Sequence, residues 1–269
     1  MTIKDKYTNL IADLKRMKKV VIAFSGGVDS TFLLKAAQEA LGDKVKAVTI
    51  LSPYIPQWEV AEAKDFAQKI GVAHTIIEVP IIAEIRYNPQ NRCYLCKKAV
   101  FQMIKELAQD EGYSYVIDGT NFDDLGDYRP GLKALQELNI KNPLFECKLT
   151  KEEIRSLSKE LGLSTWDKPP YACLLTRLPY GDEVKADDLI KIEQAEKFMM
   201  SLGFRAVRIR CHRNLARIEV AKKDRKKLFD EDLLDQVAAK LKEQGFQYVT
   251  MDLEGYRVGS FNEVLTRGL

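Results

Sequence analysis

Apolar runs and helical patterns alternate along the first part of the chain. Continuous β-branched segments at residues 19–24 and 45–51 predict buried strands, and residues 74–79 and 115–118 predict two more. Apolar residues at helical spacing follow these segments, at residues 31–41, 57–70, 92–110 and 150–161. This alternation predicts an α/β fold in which a parallel sheet carries helices on both faces.

Cap signals mark the ends of these predicted helices. Thr150 and Glu153 have the spacing of a capping box, in which each side chain binds the backbone N–H of the other residue. A glycine also follows each of four helical patterns, where a left-handed backbone ends a helix. These glycines are Gly42, Gly71, Gly112 and Gly162.

The pattern changes after residue 163. Residues 164–182, STWDKPPYACLLTRLPYGD, contain three prolines and predict an ordered loop. The segments RAVRIRCH and LARIEVA then predict paired strands that are separated by Arg213 and Asn214. Helices are predicted on either side of this pair and a strand after the second helix, at residues 187–202, 224–244 and 248–253 respectively.

This second pattern predicts a small α+β domain. We therefore expect a first domain at residues 1–165 and a second at residues 182–269, with residues 166–181 as the connecting loop.

Length and composition agree with two domains and disfavour some partners. At 269 residues and 46% hydrophobic content the chain can bury a substantial core. Its 42 basic and 39 acidic residues leave a net charge of +3, which does not favour a nucleic-acid partner. The N-terminal residues predict an amphipathic helix, and no apolar run approaches the roughly 20 residues that span a bilayer. We expect a cytoplasmic protein without a membrane partner, whose 5 cysteines stay reduced.

A short turn, SGGVDS at residues 25–30, joins the first predicted strand to its helix. The N–H groups at a helix N-terminus have no partner in the helix and attract phosphate. Gly26 and Gly27 would let the backbone approach such a group, and Ser25 and Ser30 add hydroxyl donors. Asp29 can orient the loop or help to hold Mg²⁺. The alternative is an ordinary strand-to-helix turn, in which glycine and a capping Asp or Ser are common.

The same turn resembles a known nucleotide-binding motif. SGGxDS, after a strand and before a helix, resembles the PP-loop of the ATP pyrophosphatases and lacks the lysine of GxxxxGK[ST]. The resemblance implies a PP-loop (adenine nucleotide alpha hydrolase-like) sheet with nucleotide at the carboxyl ends of its strands. It also implies cleavage of ATP between the α- and β-phosphates and adenylation of a substrate.

A second segment narrows the resemblance. VIDGTNFDDLGDYRPGLKAL leads from a strand end through an acidic loop to a helix opened by Pro130. With the PP-loop, its DYRPGLKAL part resembles the LarE family of sulfur transferases, and the likeness extends to RLPYG, SLGF and VRIR further along. LarE proteins use ATP to turn carboxylates of a pyridinium mononucleotide into thiocarboxylates. Their product is the precursor of the nickel-pincer nucleotide of lactate racemase.

The LarE resemblance implies a set of cofactor contacts. ATP and Mg²⁺ are expected, with pyrophosphate on residues 25–30. Gly119 lies where open α/β sheets present ligand contacts, and Asp127 and Arg129 add groups suited to metal and phosphate. For the acidic loop the alternative is a solvated surface.

The cysteines bear on the source of sulfur. Adenylation makes a carboxylate electrophilic but supplies no sulfur, so a thiolate or a sulfide must act as the nucleophile. The resemblance implies that Cys173 is the sulfur-donating cysteine, which in one branch of the family gives up its own sulfur and becomes dehydroalanine. Cys93 and Cys96, a CxxC pair, set this chain apart from that branch.

Three cysteines together suggest a metal cluster, and resemblance to the three-cysteine iron-sulfur branch of the family implies catalytic sulfur transfer from such a cluster without sacrifice of Cys173. With Cys173, the CxxC pair would leave one iron of a 4Fe-4S cluster open for a hydrosulfide. Zinc is less suited, because we identify no fourth ligand near these cysteines. The alternatives are that Cys93 and Cys96 merely pack on one helix face, or that Cys173 is sacrificed without a cluster. Cys147 and Cys211 fit no motif and are expected to be buried thiols.

The anionic substrate needs cationic contacts. By resemblance these are Arg177, Arg208 and Arg210, the last two on one face of a predicted strand. Glu196 and Glu219 match acidic positions of the family and are expected to orient the arginines. A solvated strand face with ion pairs is the alternative.

The resemblance also implies partners. It implies that this chain forms a homo-oligomer, a hexamer, and contacts other proteins of nickel-pincer nucleotide biosynthesis. Two rival functions stay open. A tRNA-thiolating PP-loop enzyme would favour an RNA-binding module and a stronger basic excess, and DYRPG argues against it. A regulator would bind ATP at SGGVDS without chemistry.

Overall fold

The computed structural model describes residues 1–126, 130–257 and 259–262. The chain divides into two compact units. The first unit consists of Met1–Ile85 and Gln90–Tyr171, and the second of Arg86–Pro89 and Ala172–Leu269.

A four-stranded parallel sheet forms the centre of the first unit. Its strands are β1 (Val20–Ala23), β2 (Val45–Leu51), β3 (Ala73–Glu78) and β4 (Tyr115–Ile117), in the order β3-β2-β1-β4. The sheet confirms the predicted parallel α/β fold. Since β1 lies inside the sheet, its first three residues are fully buried, as its continuous apolar sequence requires.

Helices surround this sheet. They are α1 (Ile3–Met17), α2 (Val28–Leu41), α3 (Gln57–Lys69), α4 (Arg92–Asp110), α5 (Pro130–Glu137), α6 (Pro143–Glu146) and α7 (Lys151–Glu160). Short 3₁₀ turns lie at Gly42–Lys44, Ala83–Ile85 and Phe122–Gly126. The capping box of Thr150 and Glu153 is present at the start of α7, as the sequence predicts.

The side chains of β1 divide between two apolar clusters. Val20 and Ile22 pack with residues of α1, α2, α3 and α7, whereas Val21 packs with residues of α4 and α5. Successive strand residues point to opposite faces of a sheet. The helices therefore cover both faces, as expected.

The second unit contains a three-stranded sheet of order β5-β6-β7. Its strands are β5 (Val207–His212), β6 (Leu215–Val220) and β7 (Tyr248–Met251), and its helices are α8 (Ala186–Ser201) and α9 (Glu231–Glu243). Three 3₁₀ segments accompany them, at Leu174–Arg177, Lys222–Phe229 and Ser260–Asn262. β5 and β6 are antiparallel and joined through Arg213 and Asn214, which confirms the predicted pair, and β7 runs parallel to β6.

One predicted helix is wrong. Residues 224–244 do not form a single helix, because a 3₁₀ segment ends at Phe229 and α9 begins only at Glu231. Between them the side chain of Asp230 accepts a hydrogen bond of 2.9 Å from the N–H of Leu233. This N-cap starts a new helix and interrupts the periodic pattern. Within the described residues, no helix is both long and apolar enough to cross a membrane.

Candidate functional site

Residues 25–30, the phosphate loop, connect β1 to α2 with an open helix N-terminus. The N-cap of α2 is Gly27, which makes no side-chain cap. The hydrogen bond from Thr31 N–H to Gly27 C=O, 2.9 Å long, is the first of the helix. The N–H groups of residues 28–30 therefore have no partner within the helix. By contrast, Thr150 caps α7 with its own hydroxyl. The first turn of α2 is therefore free to bind an anion.

Glycine and serine give the phosphate loop its shape. Gly26 has φ +70°, and a Cβ there would lie 3.2 Å from the Cβ of Ala63. Only glycine accepts both conditions without strain. The hydroxyl of Ser30 donates to the carbonyl of Gly27 over 3.2 Å and lies 3.1 Å from the hydroxyl of Ser25. Both predicted hydroxyls thus lie inside the bend.

Asp29 is held by side chains from the rest of the first unit. Its carboxylate forms an ion pair with Lys151, the first residue of α7, and accepts a 3.4 Å hydrogen bond from the side-chain amide of Asn121. Burial raises the pKa of Asp29, and the Lys151 ammonium acts in the opposite direction. The contact supports the orienting role that the sequence suggested for Asp29.

The end of β4 lies against the same helix start. A Cβ on Gly119 would lie 3.0 Å from the backbone nitrogen of Ser30. Next to it, Asp118 accepts hydrogen bonds from the N–H of Thr120 (2.8 Å) and the amide of Asn142 (3.2 Å). Because β2 and β3 extend to one side of β1 and β4 lies on the other, the crevice opens between β1 and β4, where doubly wound sheets bind ligands.

A lysine from the proline-rich segment also holds the phosphate loop. The Nζ of Lys168 donates to the carbonyl of Gly26 over 3.0 Å and pairs with Glu62 at 2.7 Å. Arg155 in turn donates to the carbonyls of Trp166 and Lys168. No local pattern in the sequence points to Lys168, since its partners lie 106 and 142 residues away.

A cavity of about 500 Å³ opens above the phosphate loop. Its lining includes the polar residues Ser25, Asp29, Ser30 and Thr120 together with a set of apolar side chains. The apolar side chains are Val48, Ile50, Ile55, Val100, Phe101 and Ile104. An apolar wall with a few convergent polar groups is typical of a ligand pocket. A lining of this kind has apolar groups for a base and polar groups for phosphates.

One cysteine of the CxxC pair lines this cavity. Cys93 and Cys96 lie in the first turn of α4, where Cys93 is exposed and Cys96 is partly buried. Cys96 belongs to the cavity lining, and the hydroxyl of Tyr54 lies 3.4 Å from its Sγ. The first unit therefore brings a thiol to the same cavity as the phosphate loop.

In the second unit, Arg177 organises residues 172–181, the cysteine loop. Its side chain is 1% exposed, and Nη1 donates to the carbonyls of Ala172 (2.7 Å) and Cys173 (3.1 Å). Nε and Nη2 bind the two carboxylate oxygens of Glu196, each over 2.8 Å. This two-point ion pair fixes the guanidinium behind the main chain of Cys173.

Comparison with known proteins places this geometry in a family. The NAD synthase family model matches residues 3–108. The glutamine-hydrolyzing GMP synthase of Petrotoga mobilis is 27% identical over 186 residues, which are 60% of this chain and 36% of that protein. An uncharacterized protein of Synechocystis is 41% identical over 98% of this chain and all of its own length. The pyridinium-3,5-bisthiocarboxylic acid mononucleotide synthase of Lactiplantibacillus plantarum is 37% identical over 99% of this chain and 97% of its own length.

The chain belongs to the LarE family. This membership confirms the PP-loop prediction from SGGVDS and makes the protein an ATP-dependent sulfur transferase.

The nucleotide residues expected of a LarE enzyme gather in the first unit. The phosphate loop and Gly119 meet at the start of α2. Asp127 and Arg129 lie outside the described residues.

The strand arginines of this LarE enzyme are buried. Arg208 and Arg210 lie on β5 and are 3% and 5% exposed, so the alternative of a solvated strand face is wrong. Arg210 binds both carboxylate oxygens of Glu219, over 2.9 and 2.7 Å, and donates to the carbonyl of Thr176. The guanidinium of Arg208 lies over the ring of Tyr256, 4.7 Å from its centroid.

Burial and neighbouring charges shift two pKa values in this cluster. Burial and the nearby charge of Arg177 lower the pKa of Arg208. For Glu196, burial acts to raise the pKa, but Arg177 and Arg208 overcome it and the net pKa is lowered. The carboxylate of Glu196 therefore stays ionised.

The described residues contain no group of three or more His, Cys, Asp or Glu side chains arranged to hold a metal ion. Cys93 and Cys96 belong to the first unit and Cys173 to the second. Cys147 and Cys211 are buried, as expected, and burial raises their pKa to about 11, so both remain neutral thiols.

Proposed function

We propose that this LarE enzyme uses Mg·ATP to convert carboxylates of a pyridinium dicarboxylate mononucleotide into thiocarboxylates. The observation that carries the proposal is the uncapped start of α2 in a cavity that also contains the thiol of Cys96. The named activity of the L. plantarum relative supports the substrate, because the two chains align over almost their whole lengths. The product would serve as the precursor of the nickel-pincer nucleotide of lactate racemase.

The first step is adenylation. A carboxylate oxygen of the substrate attacks the α-phosphorus of ATP, the bond to the bridging oxygen breaks, and pyrophosphate leaves with the bonding electron pair. The N–H groups at the start of α2 and the hydroxyls of Ser25 and Ser30 would stabilise the charge of this leaving group. Asp29 offers a carboxylate oxygen, the kind of ligand that Mg²⁺ prefers.

The second step is sulfur transfer. The thiolate of Cys173 attacks the acyl carbon and AMP leaves, which gives a thioester. Removal of the Cα proton then breaks the Cβ–S bond, leaving dehydroalanine on the protein and a thiocarboxylate on the product. No oxidant or reductant enters this balance, but each protein then acts a limited number of times.

The CxxC pair supports a second route, through an iron-sulfur cluster. We propose Cys93, Cys96 and Cys173 as its ligands, because thiolates are the donors that such clusters use and two of them share one helical turn. The cluster would supply sulfide as a renewable nucleophile. On this route Cys173 keeps its sulfur.

The arginines of the second unit are proposed to meet the anionic groups of the substrate. Arg208 and Arg210 lie two residues apart on β5. Glu219 binds the guanidinium of Arg210, and Glu196 binds that of Arg177. By family likeness we also propose a homo-oligomer, which the mass of the purified protein in solution would test.

One experiment tests the reaction and separates the two sulfur routes. The protein is purified without oxygen, analysed for iron and sulfide, and incubated with Mg·ATP and the substrate. We expect pyrophosphate only when both are present, and a product whose mass shows exchange of oxygen for sulfur. If neither pyrophosphate nor a sulfur-containing product forms, the proposed function is wrong. Mass spectrometry of Cys173 after turnover then decides the route: a mass loss equal to H₂S with no iron bound supports sacrifice, and an unchanged Cys173 with iron and sulfide supports the cluster.

The variant Cys173→Ala sharpens this test. Because adenylation does not need the thiol, this variant should still release pyrophosphate in the presence of substrate but form no thiocarboxylate. Cys211→Ala is the matched control, since this buried thiol lies outside the proposed chemistry.

A further inference from the structure

A short segment lies between the two parts of the first unit in the sequence, but its contacts place it in the second unit. Residues Arg86–Pro89, here called the strap, cluster with the second unit. The carbonyl of Arg86 accepts the N–H of Val184 over 2.7 Å, and the carbonyl of Asn88 accepts the N–H of Gly181 over 3.3 Å. These bonds tie the strap to the end of the cysteine loop and the residues that follow it.

Asn88 is the buried centre of the strap. It is 0% exposed and has φ +44°, a backbone region that non-glycine residues seldom adopt. Asparagine tolerates this region better than most residues, yet here its side chain is buried as well. Surrounding contacts must hold such a conformation in place.

The side-chain amide of Asn88 supplies those contacts. Its Nδ2 lies within hydrogen-bond distance of three carbonyls of the cysteine loop, those of Leu175 (3.2 Å), Leu178 (2.9 Å) and Pro179 (2.8 Å). The NH₂ group has only two hydrogens, so the three acceptors share them. The first two acceptors belong to, or directly follow, the 3₁₀ turn that begins after Cys173.

Two buried side chains thus hold the cysteine loop from its two ends. Arg177 binds the carbonyls of Ala172 and Cys173, and Asn88 binds carbonyls two to six residues further on. We propose that Asn88 is a positioning residue for the thiol of Cys173. The proposal rests on the role in sulfur transfer proposed for Cys173.

The substitution Asn88→Gly isolates the amide from the backbone. Glycine adopts positive φ without strain, so this variant removes the hydrogen-bond donors and keeps the conformation of the strap. We expect the alkylation rate of the Cys173 thiol by iodoacetamide, followed by peptide mass spectrometry, to change by about tenfold, because three carbonyls lose their donor and two of these bonds are buried. The kcat of thiocarboxylate formation should fall by a similar factor while KM for ATP stays unchanged.

Asn139→Gly is the matched control. Asn139 also has a positive φ, +55°, but is exposed and lies in the first unit, so the same substitution there should leave both rates unchanged. Asn88→Ser keeps one donor and should fall between wild type and Asn88→Gly. If Asn88→Gly does not fold, the alkylation rate and kcat of Asn88→Ser can be compared with those of wild type instead.

The outcomes separate this proposal from the proposed function. If Asn88→Gly lowers the melting temperature but leaves the Cys173 alkylation rate and kcat at wild-type values, Asn88 only stabilises the fold and the positioning proposal is wrong. If the wild-type protein forms no thiocarboxylate, the proposed function fails. The alkylation rates would then still decide whether Asn88 positions the thiol.

Discussion

The phosphate loop and the cysteine loop are built in opposite ways. In the phosphate loop most of the shape comes from the chain itself, through Gly26, the contact between the hydroxyls of Ser25 and Ser30, and the start of α2, and Lys168 adds one bond to the carbonyl of Gly26. In the cysteine loop the shape comes from two buried side chains that bind main-chain carbonyls, Arg177 and Asn88. One loop leaves N–H donors open, and the other has its carbonyl acceptors occupied.

This difference agrees with the roles proposed for the two loops. A loop that binds phosphate needs unpaired N–H groups in the first turn of its helix, and the N-cap Gly27 has no side chain to cap them. A loop that presents a nucleophile needs a fixed backbone, so its carbonyls are best bound from behind by the protein. The comparison predicts that substitutions in the two loops fail for different reasons.

The largest effect is expected at Arg177. The substitution Arg177→Met leaves the buried carboxylate of Glu196 without its ion-pair partner, with only the nearby charge of Arg208 remaining, and should lower the free energy of unfolding of the second unit by about 3–5 kcal/mol. Hydrogen exchange of the β5 amides would measure this loss. The double variant Arg177→Met/Glu196→Leu removes both charges and should recover most of the stability. A double variant as unstable as the single one would contradict the ion-pair explanation.

A smaller and more selective effect is expected at the two glycines of the phosphate loop. Gly26→Ala should destabilise the protein by about 1–3 kcal/mol, because of its positive φ and the approach to Ala63. Gly27 has φ −77°, which alanine can adopt, so Gly27→Ala should cost less than about 1 kcal/mol. It should still raise KM for ATP about tenfold, because its methyl group would enter the anion site.

Thermal unfolding and KM for ATP, from pyrophosphate release, would measure both glycine variants. If Gly27→Ala bound ATP as tightly as wild type, the phosphates would have to lie elsewhere.

Next is the asymmetry of the CxxC pair. Cys96 lines the cavity and Cys93 does not, so Mg·ATP should slow alkylation of Cys96 by about tenfold and leave Cys93 unaffected. Peptide mapping after treatment with iodoacetamide, with the metal-free protein, would measure the two rates. Equal protection of both thiols would speak against nucleotide in this cavity.

The smallest effect concerns acid stability. The pKa of Glu196 is lowered in the folded protein, so its contribution to stability is present above the unfolded value of about 4.5 and is lost as pH falls through the folded pKa. The difference in unfolding free energy between wild type and Glu196→Gln should thus be constant from pH 7 to pH 5 and narrow below about 4.5. Urea unfolding at several pH values would show this. A difference that did not depend on pH would mean that Glu196 is not ionised.

The two loops also differ in how far the sequence predicts them. SGGVDS is a motif of consecutive residues, and the capping residue Thr150 lies three residues from its partner. Both features can therefore be predicted from the local sequence. Asn88 contacts residues 87 to 91 positions away, and Lys168 lies 142 positions from Gly26. Contacts between residues so far apart in the sequence cannot be predicted from local spacing.

The remaining differences have local causes that the periodic pattern hides. α2 begins at Val28 and not at residue 31, because a glycine N-cap admits the helix earlier than the apolar periodicity suggests. The predicted helix at 224–244 is divided because Asp230 serves as a cap and not as a helical residue. The arginines of β5 were recognised by family likeness, but only the fold shows that Glu219 and Tyr256 bury them.

Arg177 grips oxygen atoms of the main chain at positions 172 and 173. Those bonds do not involve the side chain of residue 173. An enzyme molecule that had surrendered its sulfur would therefore keep the scaffold of a fresh one. Repair of a spent molecule would need only a sulfur nucleophile added to the β-carbon and a proton to the α-carbon of residue 173, with no rebuilding of the polypeptide around them.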